Sequence, residues 1–250
     1  MMAPRTCAEQ PFLFDDFRCA ANRLLSALHR HEPYVLVLGE SGCGKTTLLR
    51  HVQQKLDKRN FSVLYLCHGR PSPSALARVL ADVLHLPIRR TRAETSRLLV
   101  STLKNLPTKQ LLWIDEAQLI HDDTLQELRL LSEADLDGPP LFCVVLSALP
   151  HLKERLLAPE LFPLLRRIET RVRLHGLRQE EVGPFIDHVL GQHCAKRFSP
   201  EALCVIFESA RAAPAVVKSL ATICLDTTST NGEQINKQTV IDLLDSNEIN

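Results

Sequence analysis

The chain has 250 residues, 45% hydrophobic and 24% charged, and 30 basic against 29 acidic side chains leave a formal charge of +1. A chain of this size and composition buries a substantial core, which excludes global disorder, and near-neutrality on its own names no polyanionic partner. No apolar run reaches the roughly 18–20 residues of a membrane span, and Met1–Cys7 lacks the apolar core of a secretory signal, so a soluble, cytoplasmic protein with no membrane partner is expected.

In chain order, Phe17–His29 has helical apolar spacing (Ala20, Leu24, Leu25, Leu28) and Tyr34–Leu38 reads as a strand. A helix over Thr47–Leu56 precedes a strand at Ser62–Cys67. Helical patterns over 74–85 and 92–106 lead to a strand at Gln110–Asp115, and a helix over 122–133 leads to one at Leu141–Ser147. Thr170–Leu174 is the fifth strand. Most of these strands are continuous apolar runs, as expected of strands covered on both faces, and strand–helix alternation predicts an α/β fold with a parallel sheet and flanking helices. After about residue 177 the strands stop. Gln179–Cys194, Ser199–Ala212, Pro214–Asp226 and Asn236–Asp245 read as helices, with Thr227–Glu233 as a polar loop. The predicted division is an α/β core over 1–177 and a small helical subdomain over 178–250.

Gly39-Glu40-Ser41-Gly42-Cys43-Gly44-Lys45-Thr46 fits G-x-x-x-x-G-K-[ST], between a predicted strand and the helix that Thr47 opens. Glycines let the backbone turn its N–H groups toward a phosphate chain, and the helix N-terminus adds a favourable dipole. ATP is the expected ligand over residues 39–47. Lys45 would contact the β- and γ-phosphates and the Thr46 hydroxyl would ligate Mg²⁺. The plainer alternative is a glycine-rich surface loop. Leu111–Glu116 is an apolar strand ending in Asp115-Glu116, beyond the carboxyl end of a strand, where open α/β sheets bind ligands. Asp115 would hold Mg²⁺, through water, and Glu116 would polarise the water attacking the γ-phosphate. Against this stands a strand end capped by two solvated acids.

Leu111–Gln118 (LLWIDEAQ), Thr124–Ser132, Val144–Leu146, Pro150–Leu152 and Leu164–Ile168 occur in an order that resembles AAA+ ATPases of the ExeA/TnsC type, which include transposition regulators and secretion-assembly ATPases. The resemblance runs from about Pro11 to Leu244 and implies a P-loop NTPase core with a helical lid, assembled as rings or filaments. It implies that an arginine, Arg166 or Arg167, completes the neighbouring subunit's site, the alternative being a solvated pair at a helix end. Phe12 and Phe14 would shape an adenine pocket, or else pack in the core. Where the family often has a polar residue before the proline after strand four, Leu149 stands, so the sensor role falls to Ser147. The lid's Gly-x-Pro-Arg sensor is here Ala212-Ala213-Pro214-Ala215; Arg211 or Lys218 would have to replace the missing arginine, and slow or partner-stimulated hydrolysis is expected.

Residues 86–109 hold six basic groups against one acidic, Glu94. Arg89, Arg90 and Arg92 are candidate contacts to duplex DNA backbone, although most charge runs are solvated faces. Eight cysteines show no C-x-x-C spacing and ten histidines no metal motif. Cys43, inside the glycine loop, is expected to be reachable without nucleotide and shielded with it. Trp113 is expected in the core. The resemblance implies an ATP-dependent homo-oligomer that binds duplex DNA and recruits or activates a transposase. A secretion-assembly ATPase is the alternative, disfavoured because such proteins usually carry a membrane span and this chain ends soon after the lid; a nucleotide-gated scaffold with little hydrolysis is the other.

Overall fold

The computed structural model describes residues 10–66, 71–135, 138–228 and 234–246. Five strands, β1 (Tyr34–Gly39), β2 (Phe61–Leu66), β3 (Lys109–Ile114), β4 (Phe142–Ala148) and β5 (Ile168–Leu174), form one sheet in the order β2-β3-β4-β1-β5. Every neighbouring pair is parallel. The two middle runs, YVLVLG in β1 and FCVVLSA in β4, are buried at every residue, and β3 at all but its first. Continuous apolar sequence thus goes to the strands covered on both faces. The outer strand β5 alternates: it exposes Arg171 and Arg173 between buried Ile168, Val172 and Leu174, and charges on an edge strand discourage further pairing. Each predicted strand is present, displaced by a residue or two at its ends. Cys67 lies outside the described residues.

Helices α1 (Asp15–His29), α2 (Lys45–Lys55), α3 (Pro73–Val83), α4 (Arg92–Asn105) and α5 (Asp122–Ser132) follow the predicted spacing closely. Local chemistry sets their starts. Ser72 caps α3 by accepting the Ala75 N–H at 3.3 Å, ahead of Pro73. Thr91 and Glu94 form a reciprocal capping box on α4, and such caps contribute about 1 kcal/mol each. Two single-turn helices between β4 and β5, α6 (Leu152–Arg155) and α7 (Phe162–Leu165), leave no sequence signal because four residues carry no helical period. Trp113 is in the core at 1% exposure. Tyr34 is buried in β1, but its hydroxyl is 2.6 Å from Ser132 Oγ, so its polar end is satisfied.

After β5 the described residues hold α8 (Val182–Leu190), α9 (Pro200–Ala210), α10 (Pro214–Thr227) and α11 (Lys237–Ser246). The single helix expected over Gln179–Cys194 is corrected. It divides into a 3₁₀ turn at Gln179–Glu181 and α8, and α8 stops at Gly191, whose φ of +121° cannot continue a helix. Ser199 accepts the Ala202 N–H at 3.1 Å and starts α9. Most of the expected polar loop, residues 229–233, lies outside the described residues.

The chain forms two compact units. Among the described residues, one comprises those of Cys19–Glu40 and Leu48–Leu174 and holds the sheet; the other groups Ser41–Thr47 with those from His175 onward and those before Cys19. No helix among the described residues is long and apolar enough to cross a membrane.

Candidate functional site

β1 ends at Gly39 and α2 begins at Lys45, two residues earlier than predicted. Lys45 and Thr46 therefore sit in the first helical turn, where backbone N–H groups lack intrahelical partners and the dipole is positive. The intervening turn needs two left-handed residues, Gly42 at φ +75° and Gly44 at φ +100°, which only glycine adopts without strain. At Gly42 there is a second reason: an added Cβ would lie 3.1 Å from the Ala215 Cβ. The Gly42 carbonyl accepts the Ala215 N–H at 3.2 Å. Lys45 is buried to 6% exposure, Thr46 is half-buried, and Glu40, Ser41 and Thr47 are exposed or partly so. Cys43 is 1% exposed, which corrects the expectation of a reachable thiol. Burial pushes this thiol above its ordinary pKa, and the Lys45 charge pulls the other way.

The acid pair follows β3. Asp115 is 9% exposed, and both its oxygens are held: Tyr65 donates its hydroxyl to Oδ2 at 3.0 Å and Ser147 to Oδ1 at 2.9 Å. The backbone N–H of Glu116 also reaches Oδ1 at 3.1 Å. Parallel register explains the gathering. Ile114 faces Leu146 on β4 and Leu66 on β2, so the residues at the ends of three neighbouring strands converge. Ser147 is thus brought to Asp115, whereas Tyr65 is a partner that sequence reasoning misses, because nothing local in the chain pairs β2 with β3. Glu116 is half-buried and in the left-handed region, φ 54°, ψ 39°, uncommon for a residue with a side chain. Its Oε2 accepts a hydrogen bond from Gln118 Nε2, another partner the sequence does not announce.

Mg²⁺ prefers hard oxygen donors and few protein ligands. The Thr46 hydroxyl and the Asp115 carboxylate, each considered alone, have that chemistry. Among the described residues no group of three or more His, Cys, Asp or Glu side chains forms a metal cage.

The two candidate arginines before β5 differ. Arg167 pairs with Glu133, which also pairs with Arg129 at 3.1 Å, and Arg167 Nη1 donates to the Pro163 carbonyl at 3.0 Å. Arg166 is exposed and makes no ion pair among the described residues. The basic segment is partly spent within the fold: Arg92 pairs with Glu127, Lys104 with Asp135 at 2.9 Å, and Lys109 Nζ donates to the Pro140 carbonyl. Arg89 and Arg90 are exposed. Phe12 packs edge-on against Phe185 at 5.7 Å and Phe14 against Phe17 at 5.5 Å, so packing is the role seen for both. Lys218 is exposed on α10, and Arg211 ends α9 at φ +48°.

Residues 28–156 match the AAA domain family. The general secretion pathway protein A of Aeromonas hydrophila is 29% identical over 160 residues, 61% of this chain and 29% of that protein, so the chain spans under a third of this curated relative's length. The Aeropyrum pernix ORC2 protein in its ADPNP–ADP complexes superposes with a TM-score of 0.68 at 13% identity, covering 97% of this chain and 70% of that one. Cdc6p from Pyrobaculum aerophilum gives 0.66 at 19% identity, covering 92% and 66%. The A. pernix ORC1 protein, in complex with DNA, gives 0.64 at 16% identity, covering 95% and 66%. At these identities the likeness is one of fold, a parallel sheet with flanking helices.

Proposed function

The chain belongs to the AAA domain family, and from that premise we propose that it hydrolyses ATP, assembles with copies of itself, associates with duplex DNA and regulates transposition by recruiting or activating a transposase. The observation that carries the nucleotide part is the turn with Gly42 and Gly44 at positive φ, heading a helix that begins with Lys45. Backbone N–H groups over 39–47 bind the phosphates, and Lys45 neutralises charge on the β- and γ-phosphates. Thr46 and Asp115 are the residues that would hold Mg²⁺, which when bound supplies positive charge to the phosphate oxygens. Glu116 takes a proton from the attacking water as the water oxygen bonds to the γ-phosphorus. The bond from that phosphorus to the β–γ bridging oxygen breaks, releasing ADP and phosphate. Arg166 serves the neighbouring subunit, since its permanent, forked charge is free of ion pairs among the described residues.

The DNA part rests on the exposed Arg89 and Arg90, and the A. pernix ORC1 likeness is to a protein solved on DNA. The transposition label rests on the family resemblance carried by the motif order from Leu111 to Ile168. A second reading, an assembly ATPase of the secretion type, is favoured by the similarity to general secretion pathway protein A.

Measuring ATP turnover with and without duplex DNA tests the proposal. Turnover raised by DNA and abolished in Lys45→Ala supports it. Turnover indifferent to DNA favours the secretion reading. Binding without turnover in either condition favours a nucleotide-gated scaffold.

A further inference from the structure

Gln118 is a buried side chain, 9% exposed, with both ends of its amide in use. Its Oε1 accepts the backbone N–H of Leu149 at 3.1 Å, just past β4. Its Nε2 donates to Glu116 Oε2. Chemistry fixes this orientation without ambiguity: a backbone N–H can only donate and a carboxylate can only accept, so the amide oxygen must face Leu149 and the amide nitrogen Glu116. The backbone around Gln118 is fastened as well. Arg155 donates to the Gln118 carbonyl at 2.6 Å and to the Ile120 carbonyl at 2.6 Å, and pairs with Asp122. A half-buried glutamate in left-handed backbone therefore has its carboxylate tied to the end of the central strand β4 through a single amide.

We propose that Gln118 is the positioning residue for Glu116, holding one carboxylate oxygen by its amide so that the other meets the attacking water. The proposal rests on the reading of Glu116 as the group that takes the water's proton. Gln118 touches neither water nor phosphate in this role. It sets where the carboxylate points, and misplacing a catalytic group by about 1 Å can cost on the order of 10²-fold in rate.

The test compares Gln118→Ala, Gln118→Glu and Glu116→Gln in the 250-residue chain, by steady-state ATP turnover and by titration with a non-hydrolysable ATP analogue. Gln118→Ala is expected to lower kcat by roughly tenfold to a hundredfold, with KM for ATP and analogue affinity within about twofold. Gln118→Glu has the same size and keeps the acceptor for Leu149, so it tests the role even where the alanine variant fails to fold. Its introduced carboxyl can donate to Glu116 only while protonated. Ionised, it cannot donate and sets a like charge against Glu116, so the tie is lost. Turnover of this variant is therefore expected to fall by roughly tenfold, while it binds the analogue at unchanged stoichiometry and affinity, a combination that simple loss of stability would not produce.

If Glu116→Gln abolishes turnover while Gln118→Ala keeps its kcat, or Gln118→Glu binds the analogue at full stoichiometry and keeps its kcat, the positioning role is overturned and the base role of Glu116 stands. If Glu116→Gln itself keeps turnover, the reading of Glu116 falls and takes this one with it.

Discussion

The Gly42 carbonyl accepts the Ala215 amide at 3.2 Å, and the Ala215 Cβ lies 3.1 Å from where a Cβ on Gly42 would stand. The phosphate-loop candidate thus rests on the first turn of α10, at the position where the family resemblance places a lid arginine and this chain has alanine. The corner before it is unusual too, with Arg211 and Ala212 both at positive φ, 48° and 63°.

Ala215→Arg is expected to fold, because arginine shares the Cβ already accommodated and Ala215 is exposed. The added charge beside Gly42 should tighten ATP binding by about 1 kcal/mol, roughly fivefold, after allowance for solvent screening. Gly42→Ala should weaken it, since both the left-handed φ and the close approach oppose a side chain, at about 1–2 kcal/mol for the backbone alone. Calorimetric titration of both variants checks this; unchanged affinity in each would separate the loop contact from nucleotide binding.

Arg166→Ala should reduce turnover of the assembled protein by roughly 10³-fold if it acts across a subunit boundary, with little effect on thermal stability. Arg167→Ala should instead leave turnover largely intact and lower stability by at most about 1 kcal/mol, as its pair with Glu133 is partly exposed. Mixing Arg166→Ala with Lys45→Ala subunits gives the decisive measurement: activity recovered in the mixture means the two residues serve one site from different chains.

For DNA, the double variant Arg89→Ala, Arg90→Ala should weaken duplex binding and reduce the magnitude of its salt slope by roughly 0.9 for each phosphate no longer neutralised. Arg92→Ala should have the smaller effect on DNA, because Arg92 is engaged by Glu127 at the start of α4. Filter binding at several salt concentrations distinguishes the two; equally weakened binding would mean that the intramolecular pair opens on DNA.

Cysteine chemistry should follow burial. Cys19 is exposed, whereas Cys43, Cys143 and Cys224 are buried, and burial pushes Cys143 and Cys224 up from an ordinary 9.0 to about 11. Alkylation near pH 8 should label Cys19 quickly and Cys43 slowly, with or without ATP. A folded-state pKa raised above the unfolded value means that the native state keeps protons the unfolded chain releases. The resulting stability is fully present below about pH 9 and lost as pH rises toward 11. Denaturant unfolding at pH 8 and at 10.5 should show the loss, and Cys143→Ala with Cys224→Ala should flatten it.

The parts of the site legible in the chain are those confined to a few consecutive residues. Gly39–Thr46 carries its own turn, charge and helix start, and LLWIDE carries an apolar strand with acids at its end. Tyr65 draws no notice in the sequence because an aromatic in a short strand looks like any other; it matters only once β2 lies beside β3 and its hydroxyl reaches Asp115. Gln118 is legible as part of a motif, but not as the partner of both Glu116 and Leu149.

Periodicity along the chain is enough for a parallel α/β sheet followed by helices, because burial on both faces demands continuous apolar runs and covered helix faces demand a 3.6-residue repeat. Strand order, the pair of hydroxyls on Asp115 from positions 32 and 50 residues away, the difference between Arg166 and its neighbour, and the burial of Cys43 arise from folding in three dimensions. Hydrogen bonds and ion pairs act over about 3–4 Å of space, and no pattern of neighbours in the chain states which distant side chains will come that close.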